Sequence, residues 1–176
     1  MTPEFSRPER LDTIGEGERS ITISAEAEER RKLAARFGIV AVDSLAATLT
    51  IRRDASGILA TGRVTGQVVQ SCSITSDPLT IAIDEPLALR FVEPVAGEEE
   101  VELSADALDT VEIEGSAIDL GEAAAETMAL SLDPFPRGPN AAAALKAAGV
   151  ISEEEAKPAG ALAGLKAALE KRLDRS

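Results

Sequence analysis

The chain contains no histidine, no tryptophan and no tyrosine, and it has a single cysteine and four phenylalanines among 176 residues. Histidine is the side chain whose ordinary pKa lies nearest neutrality, and it is the commonest general base and metal ligand. Its absence excludes Ser-His-Asp and Cys-His nucleophiles within the chain. Cys72 has no second cysteine to pair with, so an internal disulfide is excluded, as is a closed tetrahedral zinc site. With so few aromatic rings, the core has to be built from Ala, Leu, Val and Ile, and the stacking platforms of common single-strand RNA modules are missing. No apolar stretch of signal-peptide length follows Met1, and about 18 uninterrupted apolar residues occur nowhere. The expected address is the cytoplasm, with no membrane contact.

Basic residues are also absent locally. Residues 1–90 hold 11 basic and 13 acidic side chains, residues 91–136 hold 13 acidic and none basic, and residues 137–176 hold 7 basic and 5 acidic. The net charge of −13 therefore equals the charge of the middle block. A surface of one sign repels polyanions and attracts basic partners over roughly a Debye length, about 8 Å at physiological salt. Solubility alone is the plainer use of such a run.

With 44% apolar residues the chain can bury a core, and periodicity divides it into elements. Leu11–Ile14 and Ser20–Ile23 read as short extended pieces. Ser24 reads as the N-cap of a helix over Ala25–Gly38, with acids in its first turn, bases in its last and Gly at its end. From Leu45 the period becomes two, with Leu45, Ala47, Leu49 and Ile51 on one face. The turn Asp54-Ala55-Ser56-Gly57 leads to a second strand that carries Val64, Gly66, Val68, Gln70 and Cys72 on one face. A third run has Leu79, Ile81, Ile83, Leu87, Leu89 and Phe91 on one side, and Pro86 within it predicts a bulge or a sheet edge.

Gly97-Glu98-Glu99-Glu100 reads as an exposed connection, and Thr110–Gly115 as a strand with Glu112 and Glu114 outward. An EF-hand loop fails here, because Thr110 and Gly121 occupy positions that need acids. Ile118-Asp119-Leu120-Gly121-Glu122 opens a second helix that runs to about Leu132, with Leu120, Ala124, Met128 and Leu132 in a row toward the sheet and Leu130 nearby. The prolines of Asp133–Asn140 stop it. Beyond them, Ala141–Ala148 reads as a short helix, Ser152–Gly160 as a linker, and Ala161–Arg175 as a helix with a Leu162, Leu165, Leu169 and Leu173 stripe. The expected architecture is an α+β domain over residues 1–133, a curved, barrel-like antiparallel meander of five to seven strands packed with two helices. A Pro/Ala-rich linker and a helical, partly flexible tail would follow over residues 134–176.

Several segments together resemble one family. Ser71-Cys72-Ser73-Ile74-Thr75-Ser76-Asp77-Pro78-Leu79 is similar to the Cys-x-x-Cys-x-x-Pro hairpin of the YceD family of large ribosomal RNA subunit accumulation proteins. Ile118-Asp119-Leu120-Gly121-Glu122, followed by a helix ending near Leu132-Asp133-Pro134-Phe135-Pro136, resembles that family's most recognisable stretch. Lys157-Pro158 before Leu162 and Leu165-Lys166 resembles its C-terminal tail, and Glu4-Phe5-Ser6-Arg7-Pro8 looks like the opening of some members. The resemblance implies a non-catalytic cytoplasmic factor needed for large-subunit (23S) ribosomal RNA to accumulate or be processed. Members often lie beside a ribosomal-protein gene, which implies a role in ribosome assembly. Thr75 stands where many members have a second cysteine, so a metal or redox role of that pair does not carry over. Cys72 is read as a small apolar strand residue.

The leading expectation is an interaction protein that takes a basic ribosomal or assembly protein of the large subunit as its partner, with RNA contacted indirectly. Glu98, Glu99, Glu100, Glu102, Glu112, Glu114 and Asp119 are the candidate partner-binding residues. The alternative is direct RNA binding through Arg30, Arg31, Arg36, Arg52, Arg53 and Arg63. Catalysis by a carboxylate pair has only the abundance of Asp and Glu behind it, so no enzyme activity, cofactor or metal is expected.

Overall fold

A computed structural model describes residues 3–94 and 109–151. The elements are β1 (Pro8–Arg10), β2 (Arg19–Ser24), α1 (Ala27–Phe37), β3 (Ala41–Asp54), β4 (Gly57–Ser71), β5 (Pro78–Val92), β6 (Asp109–Glu112), β7 (Ala117–Asp119), α2 (Leu120–Ser131) and α3 (Ala141–Ala147). The main sheet has the order β2-β3-β4-β5-β6, and β1 and β7 form a separate two-stranded ribbon. The α+β class expected from the sequence is correct.

The long central meander follows from the period-two runs. β3 pairs antiparallel with β4 from Ala41↔Val69 to Asp54↔Gly57, and β4 pairs with β5 from Ile58↔Phe91 to Ser71↔Pro78. Leu45, Ala47, Leu49 and Ile51 of β3, Val64 and Val68 of β4, and Ile83, Leu87 and Phe91 of β5 are all buried on one face. Thr48, Arg63, Thr65 and Gln67 on the other face are exposed, the pattern of a sheet covered on one side only. At Gly62 a side chain would meet the Thr48 carbonyl oxygen at 2.1 Å, so the approach of β4 to β3 excludes any other residue there.

The expectation of a purely antiparallel sheet requires correction. β6 runs parallel to β5, with Leu89↔Asp109 and Val92↔Glu112 in register, and the described strands do not close the sheet on itself. The cause lies in the length of the connection. Sixteen residues separate Val92 from Asp109, enough for the crossover that a parallel neighbour needs and far more than a hairpin turn.

Local expectations also shift. Leu11–Thr13 is a 3₁₀ turn and not an extended piece. Ser24 is not the N-cap of α1, because the ladder holds it opposite Ala46 and Ala25 N–H donates to the Leu45 carbonyl. The helix therefore starts later, with Glu26 as cap and its N–H donating to Glu29 Oε2 at 2.7 Å. Gly38 ends it in the left-handed conformation (φ 64°). Pairing runs through Arg63↔Pro86 without a register shift, so no bulge forms there. Pro78–Ala88 has no strand on its far side among the described residues, which leaves the edge reading of Pro86. Leu130, expected near the sheet, is 87% exposed.

α1 and α2 cover the buried face. Leu33 of α1 and Leu120, Ala124, Ala125 and Met128 of α2 are buried in the core, each large side chain contributing about 1.5–3 kcal/mol. The N-terminal segment is strapped across the helices. Phe5 is fully buried, the Arg7 guanidinium grips Glu29 with two bonds of 2.7 and 2.9 Å, and Leu120 N–H donates to the Arg7 carbonyl. Arg36 of α1 pairs with both Glu4 and Glu122, tying this segment to α2.

This strap makes stability depend on acid in a defined direction. Hydrogen bonding from Arg7 holds the Glu29 carboxyl below its ordinary value of about 4.5. The Glu4 carboxyl is lowered by hydrogen bonding within its own backbone and then by Arg36. A depressed carboxyl stabilises fully above its unfolded pKa and loses that contribution as pH falls through the folded value. Resistance to urea should therefore decline from pH 6 to pH 3, and Arg7→Gln should flatten that decline. An equal decline in the variant would show that the strap does not sense acid.

Candidate functional site: an acidic groove along α2

β5, β6 and the ribbon strand β7 line one side of a groove, and α2 forms its other wall. Two adjoining hollows, of about 240 and 390 Å³, share Leu89, Ala123 and Glu126. The groove's floor is apolar, with Leu87 and Leu89 at one end and Phe91, Val111 and Ile113 at the other. Its polar side chains are dominated by Glu85, Asp109, Glu112, Glu114, Glu122 and Glu126, and none of the described lining residues is Lys or Arg. Exposed Leu130 stands on the helical rim.

The structure thus brings the expected Glu112 and Glu114 together in this groove, both exposed. It places Asp119 there too, but in a structural task. Asp119 Oδ1 accepts from the backbone N–H groups of Gly121 (3.0 Å), Glu122 (3.1 Å) and Arg7 (2.7 Å), and Oδ2 accepts from the Ser6 hydroxyl. It is the N-cap of α2 and the anchor of the N-terminal strap. Glu98, Glu99, Glu100 and Glu102 lie outside the described residues.

Glu85, Asp109, Glu122 and Glu126 were not singled out from the sequence. Glu85 carried a readable signal, since it occupies the same parity as Ile83 and Leu87 on β5, where an apolar residue is due. Glu122 and Glu126 are four apart on α2 and hence share a helical face. Asp109 could be found only with the parallel placement of β6 in hand.

Of the arginines of the alternative reading, Arg30 and Arg31 line one hollow beside α1, and most of the six make bonds within the chain. Arg36 is committed to Glu4 and Glu122, Arg31 to Glu28, and Arg63 to Asp84. Arg30 donates to the Ala25 carbonyl, and Arg53 donates to the Ile14 and Leu11 carbonyls at 3.1 and 2.7 Å. Arg52 sits half-buried on β3. Arg53 therefore holds the loop before β2. Arg53→Ala should cost about 1–3 kcal/mol in denaturant unfolding, the range for charged hydrogen bonds. A loss below about 0.5 kcal/mol would show that those two bonds do not support the fold.

Cys72 lies just past β4, 1% exposed, where Gly138 N–H donates to its Sγ at 3.3 Å. That hydrogen bond, followed by those from Thr75 and Ile74, draws the thiol down to about 7. Thr75, at the second-cysteine position, has its hydroxyl on Asp77 Oδ2 at 2.7 Å.

Fold and site define an α+β protein with an acidic, apolar-floored surface groove. The profile of the family described as large ribosomal RNA subunit accumulation protein YceD matches residues 60–167, more than half the chain, and the chain belongs to that family. The match takes in most of β4 and all of β5, β6, β7, α2 and α3, and therefore the strands and helix that line the groove. The family's name points to a role in large-subunit ribosomal RNA accumulation. No curated protein matches the chain, and neither does any solved structure. No described helix is long and apolar enough to cross a membrane.

Proposed function

We propose that this protein is a non-enzymatic cytoplasmic factor that supports 23S ribosomal RNA accumulation by holding a basic segment of a large-subunit ribosomal or assembly protein. The groove along α2 is the docking surface, and RNA is contacted only through the partner. The observation that carries this reading is the groove's lining, which joins Glu85, Asp109, Glu112, Glu114 and Glu126 to an apolar floor with no Lys or Arg among the described lining residues, Glu122 being paired with Arg36. An RNA backbone meets repulsion there, whereas a Lys- or Arg-rich segment meets complementary charge and a surface for its methylene stems. Individual exposed ion pairs contribute only about 0–1 kcal/mol, so the cluster acts on encounter and on choice of partner more than on depth of binding. The internal commitments of Arg36 and Arg53 further weaken the direct RNA alternative.

The experiment is co-purification with large-subunit precursors at low salt, comparing the native chain with one carrying Gln at positions 98, 99, 100 and 102. Reduced recovery is expected, because those four carboxylates belong to the acidic block of residues 91–136. Unchanged recovery removes them from the mechanism.

A further inference from the structure

We propose that residues 161–175 of this chain dock as an amphipathic helix in the groove along α2. The proposal rests on the geometry of that groove and not on the partner proposed for it above.

Two properties of the groove select its occupant. First, it exposes apolar surface that no described element covers. Leu130, 87% exposed, borders one hollow, half-buried Leu89 lines both, and half-buried Val111 lines the other. Contiguous exposed apolar surface of this kind marks a place where another element packs. Second, carboxylates stand on both sides of the apolar strip, with Glu126 on the helical wall and Glu85, Asp109 and Glu112 on the strand wall.

Residues 161–175 carry the complementary pattern. Leu162, Leu165, Leu169 and Leu173 share one side at helical spacing, and Lys166 and Arg172 fall on the two borders of that stripe. Lys171 and Arg175 bring the basic side chains to four, against Glu170 and Asp174. An apolar stripe bordered by cations therefore meets an apolar floor bordered by anions. Fifteen residues make a helix of about 22 Å, close to the roughly 18 Å of the twelve-residue α2 wall. A helix of this length is marginal in water without a surface to pack on. The hollow beside α1 suits it less, because Arg30 and Arg31 line that hollow and repel the same cations.

The segment also departs from the right corner of the molecule. Asn140 Nδ2 donates to Asp77 Oδ2 at 3.3 Å, which holds the start of α3 beside the start of β5. Gln70, opposite Leu79 in the ladder, donates from Nε2 to the Asp133 carbonyl at 3.0 Å and holds the end of α2 at the same corner. Leu130 and Ser131, at one end of the groove, lie just before Asp133. The nine residues 152–160 span up to about 30 Å when extended, against about 26 Å along β5 from Asp77 to Glu85.

Carbodiimide cross-linking of the purified full chain, mixed from ¹⁴N- and ¹⁵N-labelled preparations at low concentration, reads the contact. Amide links within one chain are expected from Lys166 or Lys171 to Asp109, Glu112 or Glu126. Changing Leu165 and Leu169 together to Asp should lower their yield about fivefold, as should Leu130→Gln on the groove side. Asp43→Asn, in the hollow beside α1, should leave the yield unchanged. The Ala123, Glu126 and Leu130 amides should shift between the native chain and the Leu165/Leu169 variant in ¹⁵N spectra, which also report whether the variant is folded. Absence of these links in the native chain would overturn the proposal, as would an undiminished yield with unmoved groove amides in the Leu165/Leu169 variant. Links found mainly between ¹⁴N and ¹⁵N chains would also overturn it, assigning the groove to the C-terminal segment of a second copy. No ribosomal particle enters these measurements, so their failure and a failure of the co-purification above are separate results.

Discussion

Gly121→Val should destabilise the protein by about 3 kcal/mol or more, the upper range for forcing atoms into a packed site. Gly121 lies in the first turn of α2, where the N-terminal segment passes directly over it. A Cβ at this position would lie 2.5 Å from the Phe5 carbonyl oxygen and 2.9 Å from the Arg7 nitrogen, both backbone atoms. The strap cannot retreat cheaply, since Phe5 is buried and Arg7 N–H is bound to Asp119. The added side chain must therefore break the Asp119 cap, lift Phe5 from the core or shift α2. Gly17→Val is the control, because nothing lies within 4 Å of a Cβ there, and a change within about 0.5 kcal/mol is expected. Urea midpoints for the two variants read the difference directly. Equal midpoints would show that the strap does not pack as described.

The second large effect concerns encounter with the partner. Changing Glu112, Glu114 and Glu126 together to Gln should slow association with immobilised large-subunit precursor particles about tenfold at low ionic strength, within the range that charged clefts produce. The difference should shrink as added salt shortens the Debye length to about 3 Å near 1 M. The three residues are exposed and carry no cap or strap contact, so the fold should tolerate their neutralisation. Asp119 is left intact in this design because its loss would uncap α2 and release the N-terminal segment. An association rate indifferent to these substitutions would remove the groove from the account.

The groove could be read from the sequence only in pieces, for a physical reason. β3, β4 and β5 were legible because one covered face imposes alternation, and Leu45, Ala47, Leu49 and Ile51 show it without exception. The left-handed Gly38 and the row Leu120, Ala124 and Met128 were equally local. Strand direction in β6 was not, since Thr110–Glu112 alternates identically whether it pairs parallel or antiparallel. The groove depends on that choice, because it sets Asp109 beside Leu89 and brings Glu112 and Glu114 under α2. Asp119 shows the converse. Its place ahead of Leu120-Gly121-Glu122 is an N-cap pattern, and the structure accounts for its carboxylate by that role. Leu130 sits two residues from buried Met128 and points away from the core, as helical spacing dictates.

The central claim is that this surface reaches ribosomal RNA through protein and not by its own grip. Its most direct test is the affinity of the purified chain for a large-subunit RNA fragment as a function of salt. The account predicts weak binding at physiological ionic strength and a shallow slope of log K against log salt, because few phosphates are neutralised. Tight binding by the chain alone, with a steep negative slope, would contradict it.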